Sequence, residues 1–276
     1  MTRGSGPEAT RTTSAVGIGS RAGLVLIASS VLALLAFVWP LVLPPPAATD
    51  GTGHGLDAPA VFVVVLPVLL VLMLAELSSG GIDAKALAML GVLSAIGAAL
   101  RPLGAGTAGI ETSFFLLVLA GRVFGPAFGF LLGSTTLFTS ALLTGGVGPW
   151  LPFQMLAASW VGLGAGLLPP ARGRLEIVLL MAYGAVAALA FGLLMNLWFW
   201  PFLAGGDSAI SYVPGAPIAE NLGRLVLFSL ATSAAWDIGR AITTVLLVGL
   251  TGSAVLAVLR RASRRAAFGA APVFGT

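Results

Sequence analysis

The chain of 276 residues contains no cysteine and a single histidine, and only 9% of its residues are charged. Without cysteine there is no disulfide framework, thiol nucleophile or thiolate metal site. His54 lies in a Pro-, Gly- and Asp-rich stretch between two apolar segments, which removes multi-histidine metal centres and histidine proton relays. Soluble domains carry roughly 25% charged residues, so the polar surface needed to solvate such domains is missing. The patterns H-E-x-x-H, G-x-S-x-G and G-x-x-x-x-G-K-[ST] are also absent. The chain is therefore expected to be no enzyme and not its own ATPase, with no cofactor and no metal. What it has in excess is apolar: 58% of residues are hydrophobic and the mean hydropathy is +1.03. The bilayer is its main solvent, and the fold class that follows is all-α, a polytopic helical bundle with about eight transmembrane segments.

Apolar runs predict a first span from Ala22 to Leu43, a second from Pro59 to Leu77 and a third from Lys85 to Leu100. After the polar stretch Arg101 to Glu111, interruptions at Gly121, Arg122, Gly125 and Pro126 divide the next run into a short helix from about Ser113 to Val123 and another from Ala127 to Leu143. Further spans are expected from Trp150 to Leu168 and from Glu176 to Trp200, the latter stopped by Pro201. The last stretch, Asn221 to Leu259, is about 58 Å long at 1.5 Å per residue, too long for one perpendicular crossing. It must be kinked or project from the bilayer. The first span is preceded by arginines and followed by Ala47-Ala48, as in a secretion signal, but its apolar core is too long for one. The tails, residues 1–21 and 260–276, are rich in Gly, Ser, Thr, Ala and Arg and are expected to be disordered. No internal repeat is visible.

The positive-inside bias orients these spans. With a cytoplasmic N-terminus, Arg3, Arg11, Arg21, Lys85, Arg122, Arg172, Arg174, Arg260, Arg261, Arg264 and Arg265 lie inside, 11 of the 14 basic residues. Arg101, Arg224 and Arg240 do not. The long outer connections, Pro44 to Ala58 and Leu203 to Glu220, hold no Lys or Arg. A multi-pass protein of the cytoplasmic membrane with both termini inside is the expectation.

Polar residues within spans mark sites or pathways. Asp237 and Arg240, spaced i and i+3, share a helical face. About 30 Å of helix separates Arg240 from the basic cluster at Arg260, which sets the pair near the outer boundary. They form an internal salt bridge, face a ligand, or both. At the same depth fall Glu111, the turn that carries Trp150, Phe153 and Gln154, the helix end with Asn196 and Trp198, and Trp236. Interfacial Trp commonly anchors the bilayer, and buried amides commonly bond helix to helix. Their convergence nonetheless describes an outward pocket of aromatics, amides and a few charges, suited to a planar polar small molecule. Gly91, Ala95 and Ala99 repeat at four-residue spacing, a ridge for packing inside the bundle or against a separate membrane subunit.

From Lys85 onward the order of features resembles the substrate-binding S component of energy-coupling factor (ECF) vitamin transporters. The landmarks are the Ala/Gly-rich helix closing with Arg101, the loop to Glu111, Phe115-Leu-Leu-Val-Leu-Ala-Gly121 leading into Gly125-Pro-Ala-Phe-Gly129-Phe-Leu-Leu-Gly133, then Gly148-Pro-Trp-Leu-Pro-Phe-Gln154-Met and Trp236-Asp-Ile-Gly-Arg240-Ala. The resemblance implies a six-helix core over residues 85–259 that binds a vitamin from outside and associates with a transmembrane coupling subunit and two ATPases. It also implies that Gly91, Ala95 and Ala99 touch the coupling subunit, and that the two spans in residues 22–84 are additional. Metal-type members carry an N-terminal His motif that this chain lacks, and the aromatic surround favours a large or planar ring system, cobalamin or a related precursor. Two readings from other classes compete: a secondary carrier using Glu111 or Asp237 for proton coupling, disfavoured by the missing repeat and mid-span carboxylates, and a structural membrane protein without ligand. No feature points to nucleic acid.

Overall fold

The computed structural model describes residues 18–42, 67–68, 70–71, 74–75, 84–104, 107, 109–203 and 208–266. Among them every long element is helical: α1 (Ser20–Val42), α2 (Ala84–Leu100) with a 3-10 turn at Arg101–Leu103, α3 (Phe114–Phe124), α4 (Pro126–Thr144), α5 (Leu151–Leu167), α6 (Gly173–Leu203), α7 (Ile218–Thr232) and α8 (Ala234–Ala266). Five stretches are long and apolar enough to cross a membrane, at Ser20–Val38, Ala84–Leu103, Pro126–Thr144, Gly173–Trp198 and Ala234–Ala266, and α3 and α5 are shorter apolar helices. The all-helical, polytopic membrane architecture is as the composition required. The second expected span, His54 and the connection from Pro44 to Ala58 fall wholly or largely outside the described residues; of the span, Pro67, Val68, Leu70, Val71, Leu74 and Ala75 are helical.

The short α3 is the axis of the bundle. Apart from Arg122 in its last turn it is apolar, so it is satisfied by burial, and Phe114, Leu116 to Gly121 and Phe124 are buried. It packs against α4, α5, α6 and α8. Gly125, at φ 95°, makes the turn that sends the chain straight into α4 with Pro126 as its first residue. α4 and α5 then pack backbone to backbone: a Cβ on Gly129 would collide with the carbonyl of Gly162, and one on Gly162 with that of Gly129. In hydrocarbon, where apolar burial offers little drive, close approach through small residues is what holds helices together.

α1 and α2 sit on different neighbours. α2 lies on α4, with Leu90, Leu93, Ser94, Gly97 and Ala98 turned inward, and Ser94 Oγ shares a hydrogen bond with Thr135 Oγ1 at 2.6 Å. α1 rests on α6 and α7. Its Phe37 meets Phe153 edge to face at 5.1 Å and Trp160 at 5.8 Å, and Trp160 Nε1 donates to Ser30 Oγ at 3.1 Å. Val38 and Leu41 pack against a second cluster of Leu197, Trp200, Tyr212, Leu225 and Phe228.

Three boundaries differ from the sequence reading. The stretch Asn221 to Leu259 is two helices: α7 begins at Ile218, and the chain breaks at Ser233 (φ −125°, ψ −11°) before α8 resumes. This agrees with the kink that the length of the stretch requires, and the hydroxyls of Ser229 and Ser233 at the break are bonded across to α6. At its far end α8 continues through Arg260 to Ala266, so this part of the expected disordered tail is helix. Lys85 Nζ donates to the carbonyl of Ala266 at 2.9 Å there. α6 starts at Gly173 and carries Pro201 within its last turn rather than stopping before it.

Candidate functional site

Two clusters of charge lie at opposite ends of the bundle. At the end where α3 and α8 finish and α6 begins, Glu176 is buried, 2% exposed, and held by two arginines. Arg122 Nε donates to its Oε1 at 2.8 Å, and Arg260 Nη2 reaches Oε1 at 2.6 Å and Oε2 at 2.8 Å. Arg122 also donates to the carbonyls of Leu168 at 2.9 Å and Ala171 at 3.5 Å, tying in the α5–α6 connection. Sequence reasoning passed over Glu176. Its signal was available: a lone carboxylate at the start of an apolar run, with basic residues at two other helix ends predicted to share its depth.

At the opposite end a polar chain runs from α6 through the α7–α8 break. Asn196 Nδ2 donates to Ser229 Oγ at 3.0 Å and Ser233 Oγ at 2.6 Å. Ser233 Oγ donates to Asp237 Oδ2 at 3.1 Å, and Asp237 Oδ1 accepts from Arg240 Nη1 at 2.8 Å. The same guanidinium donates to the carbonyl of Ala188 at 3.2 Å. It also lies over Phe191, 5.0 Å from the ring centroid, and Phe114, 5.8 Å away, two rings that meet edge to face at 5.0 Å. Gly192 makes the niche for the carboxylate, because a Cβ there would overlap Asp237. Of the readings open for Asp237 and Arg240, the internal salt bridge is present.

Glu111 joins this cluster through α3. Its Oε1 accepts from the backbone N–H of Ser113 at 3.1 Å and from Ser113 Oγ at 2.8 Å, placing negative charge at the helix start where the backbone dipole favours it. Phe114 follows directly and stacks on Arg240. Glu111 Oε2 stands 3.7 Å from Arg101 Nε, and Arg101 Nη1 is 3.5 Å from Ser140 Oγ. The loop before Glu111 closes over α8: Gly109, at φ 76°, packs so tightly on the carbonyl of Trp236 that any side chain would collide with it. Trp236 itself is exposed.

The remaining candidates divide. Phe153 is 1% exposed and stacks on Trp198 at 4.8 Å as well as on Phe37, so it is a packing residue between α1, α5 and α6. Trp150 is 40% exposed and its Nε1 donates to its own loop at Gly146, 3.2 Å away. Gln154 is half-buried and its side chain makes no hydrogen bond among the described residues. The structure thus links Glu111, Asn196, Asp237 and Arg240, brings Trp236 beside them through Gly109, and links Phe153 to Trp198. Among the described residues no hydrogen bond or ring contact joins Trp150 or Gln154 to either group. Of the ridge residues, Gly91, Ala95 and Ala99 are all exposed among the described residues.

A helical membrane bundle with a polar, aromatic-lined constellation at one end, and a match of residues 85–250 to the family model described as ECF transporter, substrate-specific component, define the class. The chain belongs to that family. It is a substrate-binding membrane subunit, a multi-pass membrane protein whose work is done with the partners of an ECF module. No curated protein and no solved structure matches it.

Proposed function

We propose that this protein is the capture subunit of an ATP-driven ECF-type importer in the cytoplasmic membrane, taking a vitamin or vitamin precursor from outside at the end of the bundle that carries Asp237. Residues 85–259 are its core of six membrane segments, the last formed by α7 and α8 together, residues 22–84 hold the two additional spans, and both termini are cytoplasmic. The observation that carries the reading is the convergence of Glu111, Asn196, Asp237 and Arg240 around Phe114 and Phe191, in a chain whose residues 85–250 match the family. Gln154, Trp150, Trp198 and Trp236 complete the proposed ligand surround. A large planar ligand, cobalamin or a related precursor, suits the aromatic residues best.

The coupling subunit docks on α2. Its ridge of Gly91, Ala95 and Ala99 is exposed, and among the described residues α1 packs on α6 and α7, away from the ridge. The chain lacks a phosphate-binding loop. Purified protein in vesicles should accordingly bind ligand without concentrating it, until a coupling subunit and two ATPases are supplied. Native mass spectrometry of the protein extracted from its membrane should find a retained small molecule. Ala95→Trp should abolish uptake by the whole assembly and leave binding at the parental level; uptake at the parental rate would refute the docking face. Orientation is checked by labelling Ala219→Cys, introduced on this cysteine-free background, with an impermeant maleimide in intact cells. Labelling only after permeabilisation would invert the topology.

A further inference from the structure

Five arginines form ion pairs among the described residues, and four of them are closely held. Arg122, Arg240 and Arg260 have contacts of 2.6 to 2.8 Å, and Arg224 reaches Glu220 at 3.0 Å. Arg101 is the exception. Its nearest acceptors are Glu111 Oε2 at 3.7 Å and Ser140 Oγ at 3.5 Å, far from the roughly 2.7–2.9 Å of a charge-assisted hydrogen bond. Glu111 is engaged only on Oε1, by Ser113, and its Oε2 accepts no hydrogen bond among the described residues. A half-buried guanidinium and a half-buried carboxylate oxygen therefore face each other with capacity unspent, one as donor and one as acceptor. Glu111 is bonded to Ser113, the residue before Phe114, whose ring lies under Arg240 of the site proposed above.

Charge balance says what can enter. The described ionised groups at this end are Arg101 with Glu111, Asp237 with Arg240, and Glu220 with Arg224. Each positive charge already has its negative partner. Among these described groups a ligand with a net charge finds no unpaired partner and would bring an uncompensated charge to the edge of the hydrocarbon, where ionised groups are costly. A neutral group carrying an acceptor and a donor side by side adds no charge and completes both vacant positions. We propose, resting on the capture reading above, that the Arg101–Glu111 pair receives a net-neutral ligand through an amide-type edge, its C=O accepting from Arg101 and its N–H donating to Glu111 Oε2. Lactams, ureides and primary carboxamides have this edge; free carboxylates, phosphates and ammonium groups do not.

The test uses the full chain in detergent, followed by unfolding temperature and tryptophan fluorescence. Riboflavin and cyanocobalamin serve as net-neutral amide-bearing probes, pantothenate as an anion without the edge, biotin as an anion whose ureido ring has the edge so that net charge alone is tested, and thiamine as a cation. A neutral probe should bind most tightly. Arg101→Met, which keeps the stem and removes the donors, should weaken that binding about tenfold or more. Arg224→Met, at the same end but outside the site, should leave it unchanged and controls for the loss of a charge. A carboxylate or cationic probe that binds more tightly than both neutral ones, a retained ligand bearing net charge, or parental affinity in Arg101→Met would each overturn the proposal while leaving substrate capture intact. Failure of all five probes together with the absence of any retained small molecule would instead overturn the capture reading, and this proposal with it.

Discussion

The two ends of the bundle use the same residue types and reach different results. At one end Glu176 serves two arginines at 2.6 to 2.8 Å, and Arg122 spends further hydrogen bonds on loop carbonyls. The carboxylate is saturated, and its four contacting segments are fixed to one another. Arg172, Arg174, Arg261, Arg264 and Arg265 stand exposed around it, in keeping with the basic face expected on the cytoplasmic side. At the other end the described residues pair three acidic with three basic groups, and their contacts run from 2.8 Å at Asp237 to 3.7 Å at Glu111. Amides and aromatic rings stand among them. A saturated ion cluster can do little except hold helices together, whereas an end with spare donors and acceptors can recognise something. Polar residues in a membrane protein thus divide by how completely they are satisfied, not by their identity.

That division predicts different responses to substitution. Glu176→Gln removes the charge shared by two arginines in a nearly dry position and leaves both without their partner. It should lower unfolding stability by about 3 to 5 kcal/mol, measured by thermal or denaturant unfolding in detergent with ligand present and absent, and the drop should be the same in both. A loss that ligand restores would mean that this end also takes part in binding. The amide of Asn196 comes next. It bridges α6 to both hydroxyls at the α7–α8 break, so Asn196→Leu should cost about 1 to 3 kcal/mol of stability for two hydrogen bonds, and it should weaken ligand affinity as well, because Asp237 loses its support through Ser233. Unchanged stability with weakened binding would place Asn196 on the ligand directly.

The fold was legible because the bilayer leaves few options: a 20-residue apolar run has to be a helix. Periodicity even exposed the short α3, since Gly121, Gly125 and Pro126 punctuate it. What the sequence could not show was tertiary satisfaction. Asn221 to Leu259 reads as one apolar stretch, and the bond that Asn196 makes from another helix to Ser233 at the break is invisible in it. The extension of α8 to Ala266 escapes a composition argument too, because Arg260 to Arg265 resemble a tail until Arg260 is seen bound to Glu176. Among the candidate site residues, spacing located the Asp237–Arg240 pair outright. It could not separate Phe153, which packs against α1, from Gln154 next to it, since neighbouring positions on a helix point about 100° apart and only the surrounding helices decide which one is covered.

Gln154 gives the finest test of the comparison. It is half-buried on α5 with no side-chain hydrogen bond among the described residues, in contrast to Asn196, whose amide is already bonded to two hydroxyls. An amide that holds helices together loses stability when it is removed; an amide waiting for a ligand does not. Gln154→Leu keeps the apolar bulk and deletes the amide, so unfolding stability without ligand should stay within about 0.5 kcal/mol of the parent. Affinity for the retained ligand should fall by about 0.5 to 1.5 kcal/mol, roughly 2- to 13-fold, as for one hydrogen bond to a neutral group. Isothermal titration and ligand-free unfolding of the same preparation measure the two quantities independently. If stability falls and affinity does not, Gln154 is a structural residue, and the ligand surround at this end must be drawn around Arg101, Glu111 and Arg240 alone.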